Sequence, residues 1–297
     1  MIGYIKNIIV LGSRSVFHNS VLVLLIWVFN ALSAIVLTVP ILNILMDNLG
    51  RSLLSDKLAL QFDYMWFIQF QNIYRINFDQ LPLSIYTVVG IYTMLQTFFL
   101  GGMISIFHIP EKNHIVDFFY GGVKYFFRFL KVTLVSLAFY VFAFVAIDYL
   151  GQLIHLVFRN SENIRLEFVF FGLRYVLLVF FIGVVAIISD YSKVALAVND
   201  RTKILMEMYN AIKFIKKNFT VVFISFLIVS VIGAVGVAVY NILGKAIPRT
   251  PYYMLLLSFL LQQMLIIFRL LVRMLFSATE VYLFKDLSAV IIDAETH

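Results

Sequence analysis

The stretch 219–244, FTVVFISFLIVSVIGAVGVAVYNILG, runs for 26 residues without a charged side chain. The hydrocarbon core of a bilayer is about 30 Å thick and takes about 20 helical residues to cross, so this run is long enough to span one. Its apolar character is continuous, whereas a membrane β-barrel strand alternates. Apolar runs of spanning length, three of them carrying two charged residues each, also occur at 20–46, 84–107, 131–157, 167–189 and 252–277. The fold predicted is therefore all-α: a polytopic helical bundle with about six transmembrane helices in a single transmembrane domain over 1–297.

Composition agrees with that reading. Hydrophobic residues make up 62% of the chain and charged residues 13%, with a mean hydropathy of +0.97. A soluble domain carries about 45–50% and about 25% respectively. The absence of cysteine excludes disulfides, thiolate metal sites, Fe–S clusters and cysteine nucleophiles. The opening stretch contains Lys6, Arg14 and His18 and lacks a short apolar core followed by a small-residue cleavage site, which predicts that the first span is kept. The net charge of +7 is assigned to anionic lipid headgroups and not to nucleic acid, because the basic residues fall where membrane topology puts them.

One side of the membrane receives Lys6, Arg14, Lys112, Lys124, Arg128, Lys131, Lys193, Arg201, Lys203, Lys213, Lys216, Lys217 and Lys285. The other receives Arg51, Lys57, Arg75, Arg159, Arg165, Lys245 and Arg249. The more basic side is expected to face the cytoplasm, with both termini inside. The first external connection, 47–83, mixes apolar and aromatic residues with Asp56, Lys57 and Asp63. It reads as one or two helices at the outer surface with Tyr64, Trp66 and Tyr74 at headgroup level, or equally as a cap on the bundle.

Two amphipathic juxtamembrane helices are predicted on the inner side. In 111–131, Ile115, Phe118, Phe119, Gly122, Phe126 and Phe129 share one face; in 201–217, Ile204, Leu205, Met208, Ile212 and Ile215 do, and Lys203 is set to pair with Glu207. At an offset of 89 positions FYGGVKYFFRFLKVTLVS (119–136) aligns with MYNAIKFIKKNFTVVFIS (208–225), matching Lys124 with Lys213 and Arg128 with Lys217. A weaker copy opens the chain, where Arg14 and Asn19 correspond to Lys213 and Asn218. Three parallel helix-hairpin repeats follow from this alignment, although any basic juxtamembrane helix shares part of the pattern.

No P-loop, HExxH or GxSxG motif is present, and the five histidines lack metal-ligand spacing. Neither catalytic residues nor cofactor or metal are expected. Gly101 and Gly102 read as a close-packing site. An ionisable side chain inside a span costs about 2.5–3.5 kcal/mol unless it is paired or reaches the interface, so such residues are the candidate contacts to lipid or partner. Asp148 and Arg174 lie at similar depth on consecutive spans and read as a bridge or as a headgroup site. Arg269 and Arg273 share a face of the sixth span near Glu280, with Asp190 ending the fourth span. They read as a phosphate clamp, or as Arg273 reaching the interface while Arg269 pairs with Asp190. Trp66, Lys124, Arg128, Lys213 and Lys217 complete the candidates. Gln96, Gln262, Gln263, Asn30 and Ser225 read as interhelical hydrogen-bonding residues.

With its six spans, the stretch SDYSKVALAVND (189–200) and the helix AIKFIKKNF (211–219), the chain resembles the broad group of bacterial six-helix membrane proteins. That group includes the membrane domain attached to some glycerophosphodiester phosphodiesterases. The resemblance is one of layout; it implies a bacterial cytoplasmic-membrane setting and carries over neither enzyme activity nor functional residues.

The functional expectation is a non-enzymatic membrane subunit that docks a partner protein or organises lipid. The alternative is a transporter or permease subunit for a lipid or small solute, driven by a separate ATPase, for which Pro40, Gly233 and Gly236 would mark broken spans. A remote third reading, an enzyme acting on lipid, rests on Asp148 and His155 alone.

Overall fold

The computed structural model describes residues 2–50, 52–60, 63–108, 114–159, 164–248 and 253–295. Arg51, Lys112, Arg249 and His297, which enter the readings above, lie outside them. The described residues form ten α-helices and no strand: α1 (Ile2–His18), α2 (Ser20–Leu49), α3 (Leu54–Leu60), α4 (Tyr64–Ile73), α5 (Arg75–His108), α6 (His114–Phe158), α7 (Ile164–Val198), α8 (Ile204–Lys217), α9 (Phe219–Ala246) and α10 (Tyr253–Glu295). Six candidate spans lie at Ser20–Leu49, Ile85–His108, Ile115–Phe158, Arg165–Val198, Phe219–Ala246 and Tyr253–Ala289. The chain is a multi-pass membrane protein.

Local chemistry sets where these helices stop. At Asn19 and Asn218 the backbone leaves the helical region, and the next helix starts on the asparagine carbonyl, which accepts from Leu22 N and from Val221 and Val222 N. The 111–131 segment is not the separate surface helix expected. It is continuous with the span in α6, a rod of 45 residues and about 67 Å. Phe129 occupies the place of Asn218 in the 89-residue alignment, and a phenyl ring offers no hydrogen bond with which to end a helix. Pro40 does not break α2 either, which runs through it from Ser20 to Leu49; a membrane helix tolerates the lost N–H when neighbouring groups satisfy the backbone.

The chain forms two compact units: Met1–Ser13 with Leu100–Leu227 and Phe276–His297, and Arg14–Phe99 with Ile228–Leu275. In the first, α7 packs along α6 and α8 folds back on α7. Buried residues Phe118, Gly122, Tyr125, Phe129, Val132, Ser136, Ala143, Ile147, Gly151 and Ile154 recur mostly every three or four positions and draw one stripe down α6. All of Tyr191–Ala197 at the end of α7 is buried. Phe214 of α8 lies between Tyr191 and Phe284, with ring centroids 5.7 and 4.8 Å away. The end of α5 crosses α6 at glycines: a Cβ on Gly102 would sit 2.5 Å from Phe118 O, and one on Gly121 2.2 Å from Ser105 Cβ. This is the close packing read from Gly101 and Gly102. Lys285 Nζ then donates to His108 O at 2.9 Å, satisfying a terminal carbonyl of α5.

The buried face of α8 differs from the predicted stripe. Glu207, Met208, Ala211, Phe214 and Ile215 are buried, while Leu205 stays 73% exposed. Glu207 does not pair with Lys203. Its carboxylate accepts from Arg201, Asn199 and Asn210 instead. The turn between α7 and α8 brings Asn199 and Arg201 to the carboxylate and Asn210 joins them from within α8, which the i,i+4 rule, a rule of exposed helix surfaces, does not capture.

In the second unit polar side chains join the spans. Trp27 Nε1 donates to Gln263 Oε1 at 3.1 Å, and Gln96 Nε2 donates to Asn30 Oδ1 at 3.0 Å. Phe29 lies against Phe99, centroids 5.2 Å apart. Gly233 and Gly236 do not interrupt α9. They admit α10, since a Cβ on Gly236 would lie 2.0 Å from Phe268 Cε1. With lipid as apolar as leucine, such close approach and hydrogen bonding hold the spans together.

Candidate functional site

The chemistry of the second unit gathers in one cavity of about 500 Å³, lined by Asn30, Ser33 and Ala34 of α2, Val88, Val89 and Tyr92 of α5, and Ile266, Arg269, Leu270 and Arg273 of α10. Arg269 and Arg273 are one helical turn apart and reach the same wall, as their spacing predicts. They lie 16 and 20 residues past Tyr253, about 24 and 30 Å along α10. Asn30 is ten residues into the 30-residue α2, so the lining belongs to the middle of the spans.

The two arginines differ in their surroundings. Arg273 Nη1 donates to Gln96 Oε1, and Gln96 passes the chain on to Asn30. The Gln96 amide thereby uses both its acceptor and its donor to brace a cation. Arg269 has no ion-pair partner among the described residues, and it remains exposed. Asp190, one of its expected partners, lies in the other unit, where its carboxylate is 3.7 Å from Lys193 one turn along α7. A carboxylate facing a lysine at i+3 is satisfied within its own helix. Glu280 is also in that unit and is 8% exposed.

The remaining candidates are dispersed. Lys124 and Arg128 converge on Asp200 at 2.9 and 2.8 Å, so their charges close the α7–α8 turn. Hydrogen bonds from Lys124 and then Arg128 hold the Asp200 carboxyl below its ordinary range. Lys213 and Lys217 remain on the exposed face of α8. Trp66 stacks on Phe70 with centroids 4.9 Å apart, in a helix capped by Asp63, whose carboxylate accepts from Met65 N and Trp66 N. Two helices, α3 and α4, thus lie in the connection between the first two spans. Asp148 and Arg174 do not form the expected bridge. Asp148 accepts from Gln152, one turn along α6, and the Arg174 guanidinium lies over the rings of Phe171 and Tyr175.

Sequence reasoning found the arginine pair and named Gln96 and Asn30 among the interhelical hydrogen-bonding residues, but not their pairing, nor Ser33, Tyr92 or the cavity that unites them. Nothing in the spacing of residues on α2 and α5 shows that their polar members share a wall with α10. No group of three or more His, Asp or Glu is arranged as a metal site among the described residues. The chain matches no protein family, no curated protein and no solved structure.

Proposed function

We propose that this protein is a non-enzymatic, lipid-binding subunit of the bacterial cytoplasmic membrane, with both termini inside, that holds an anionic headgroup at Arg269 and Arg273. The observation that carries the reading is the cavity wall. Two guanidinium groups, an amide and two hydroxyls meet there, and the described lining includes no carboxylate and no imidazole. Such a wall donates hydrogen bonds to phosphate or carboxylate oxygens and offers no general base of ordinary strength. Arg269, at mid-span with no ion-pair partner among the described residues, costs stability unless something anionic meets it. Bidentate bonds from a guanidinium to phosphate supply that compensation. Val88, Val89, Ile266 and Leu270 give the rest of the wall the apolar character that suits an acyl chain.

A second reading, carriage of a lipid or small anionic solute, is favoured by depth alone. Arg269 lies about 24 Å from the Tyr253 end of α10, far from a surface docking position. Basic α8 and its exposed Lys213 and Lys217 are the surface offered to the anionic inner leaflet or to a partner protein.

Native mass spectrometry of the purified protein tests the proposal. Replacing both arginines with glutamine is expected to remove co-purifying anionic lipid, with phosphatidylglycerol as the probe. Unchanged occupancy would mean that the guanidinium groups only reach toward the interface. Inorganic phosphate competing with the lipid, together with flux in proteoliposomes, would identify a solute carrier instead.

A further inference from the structure

We infer that the pocket at the far end of the α6–α7 hairpin is a zwitterion site, with Asp148 receiving an ammonium group and Arg174 a phosphate or carboxylate. This pocket, about 420 Å³, lies wholly in the first unit and is lined by Asp148, Gly151, Gln152, His155, Leu156 and Arg174. It is separate from the arginine cavity and does not depend on that reading.

Opposite charges on facing helices ordinarily collapse onto each other, and here they do not. Gly151 is the reason on one side: a Cβ there would lie 1.6 Å from Arg174 Nη1, so the guanidinium occupies the space that a side chain would take. Arg174 is held there by the rings of Phe171 and Tyr175, 5.5 and 5.0 Å from its Cζ, and its buried Nε has no hydrogen-bond partner. Asp148 stands three residues before Gly151 on the same helix, with its carboxylate 3.3 Å from the amide of Gln152. Among the described residues the other carboxylate near this end, Glu167, is occupied with His155, 3.7 Å away. One wall therefore carries an anion and a seated cation that are not consumed by each other. A ligand with both charges on a short linker satisfies the two at once; a purely anionic or cationic ligand leaves one unmet.

The chemistry is shared by the phosphoethanolamine headgroup of a lipid and by a free zwitterion, and the test separates them. Native mass spectrometry of the full chain follows retention of phosphatidylethanolamine and of phosphatidylglycerol. Asp148→Asn is expected to lower phosphatidylethanolamine retention about fivefold and raise that of phosphatidylglycerol, because the cation is then left alone. Arg174→Gln is expected to lower phosphatidylethanolamine retention about tenfold and leave the anionic lipid held elsewhere unchanged. Free glycerophosphoethanolamine that displaces the lipid assigns the site to the soluble zwitterion; retention of the lipid against it assigns the site to the membrane. Phosphatidylethanolamine retention unaffected by either substitution, or an equal fall of both lipids in Asp148→Asn, overturns the inference. Should Arg174→Gln fail to fold, Asp148→Asn still decides through the ratio of the two lipids.

Discussion

Asn19 and Asn218 adopt the same backbone geometry, φ/ψ of −103°/26° and −115°/25°. Each turns its side-chain amide back onto the helix it ends, to Ser15 O at 2.8 Å and to Phe214 O at 3.2 Å. They are 199 positions apart, matching the weaker of the two alignments read from the sequence. In α6, where the alignment with 208–225 is better, the break is absent. Likeness of composition and likeness of geometry therefore point to different pairs of segments, because one asparagine decides whether a basic amphipathic helix stops before its span.

That hydrogen bond is measurable. Asn218→Ala removes the donor to Phe214 O while leaving the backbone free to turn, and it is expected to lower stability by about 0.5–1.5 kcal/mol. Asn218→Phe, which imports the α6 residue, is expected to cost at least as much and to lengthen α8 into α9. Spin-label distances between α8 and α9 would show whether the hinge straightens.

Glycines at the crossing of α5 and α6 should be far less replaceable than those facing open space. Gly102→Ala places its Cβ 2.5 Å from the Phe118 carbonyl oxygen, a backbone atom that cannot swing away. A loss of about 1–3 kcal/mol is expected, as for overpacking in a close-packed core. Gly183→Ala meets nothing within 4 Å and sits inside α7, so it should be neutral or stabilising by up to about 1 kcal/mol. Thermal unfolding of the two variants in one detergent makes the comparison.

Acid should loosen the α7–α8 turn through Asp200. Its carboxyl is held below the ordinary aspartate value, first by Lys124 and then by Arg128. The stability it contributes is complete above the unfolded value of about 3.9 and is lost as pH falls through the lower folded value. The carboxylate is 53% exposed, so the effect is screened and small. Melting curves from about pH 5 to about pH 3 should fall more steeply for the wild type than for Asp200→Asn. Asparagine also tolerates the left-handed backbone, φ +46°, at this position; Asp200→Val, which keeps neither property, should be the least stable at every pH.

Gln96 should matter to ligand binding as well as to packing. Replacing it with leucine removes both the acceptor for Arg273 and the donor to Asn30. Losing both of these hydrogen bonds is expected to cost about 1–3 kcal/mol of stability. If Gln96 positions Arg273 for an anion, phosphatidylglycerol retention should fall even in preparations that remain folded. Full retention in a destabilised Gln96→Leu protein would make the residue a structural bridge only.

The amino-acid sequence alone determined that this chain crosses a bilayer about six times on helices, and within a few residues where most spans begin. Those are matters of how many apolar residues follow one another, and transfer out of water depends on composition over a window, whatever the neighbours are. It also placed Arg269 and Arg273 on one face, since that follows from helical periodicity. The partner of each of these charges was settled only by tertiary structure: Lys124 and Arg128 with Asp200, Arg273 with Gln96, Arg174 seated on Gly151 apart from Asp148. Ion pairs and cavities depend on angstrom-scale distances between helices remote in sequence, and those distances are set by where small residues let backbones approach.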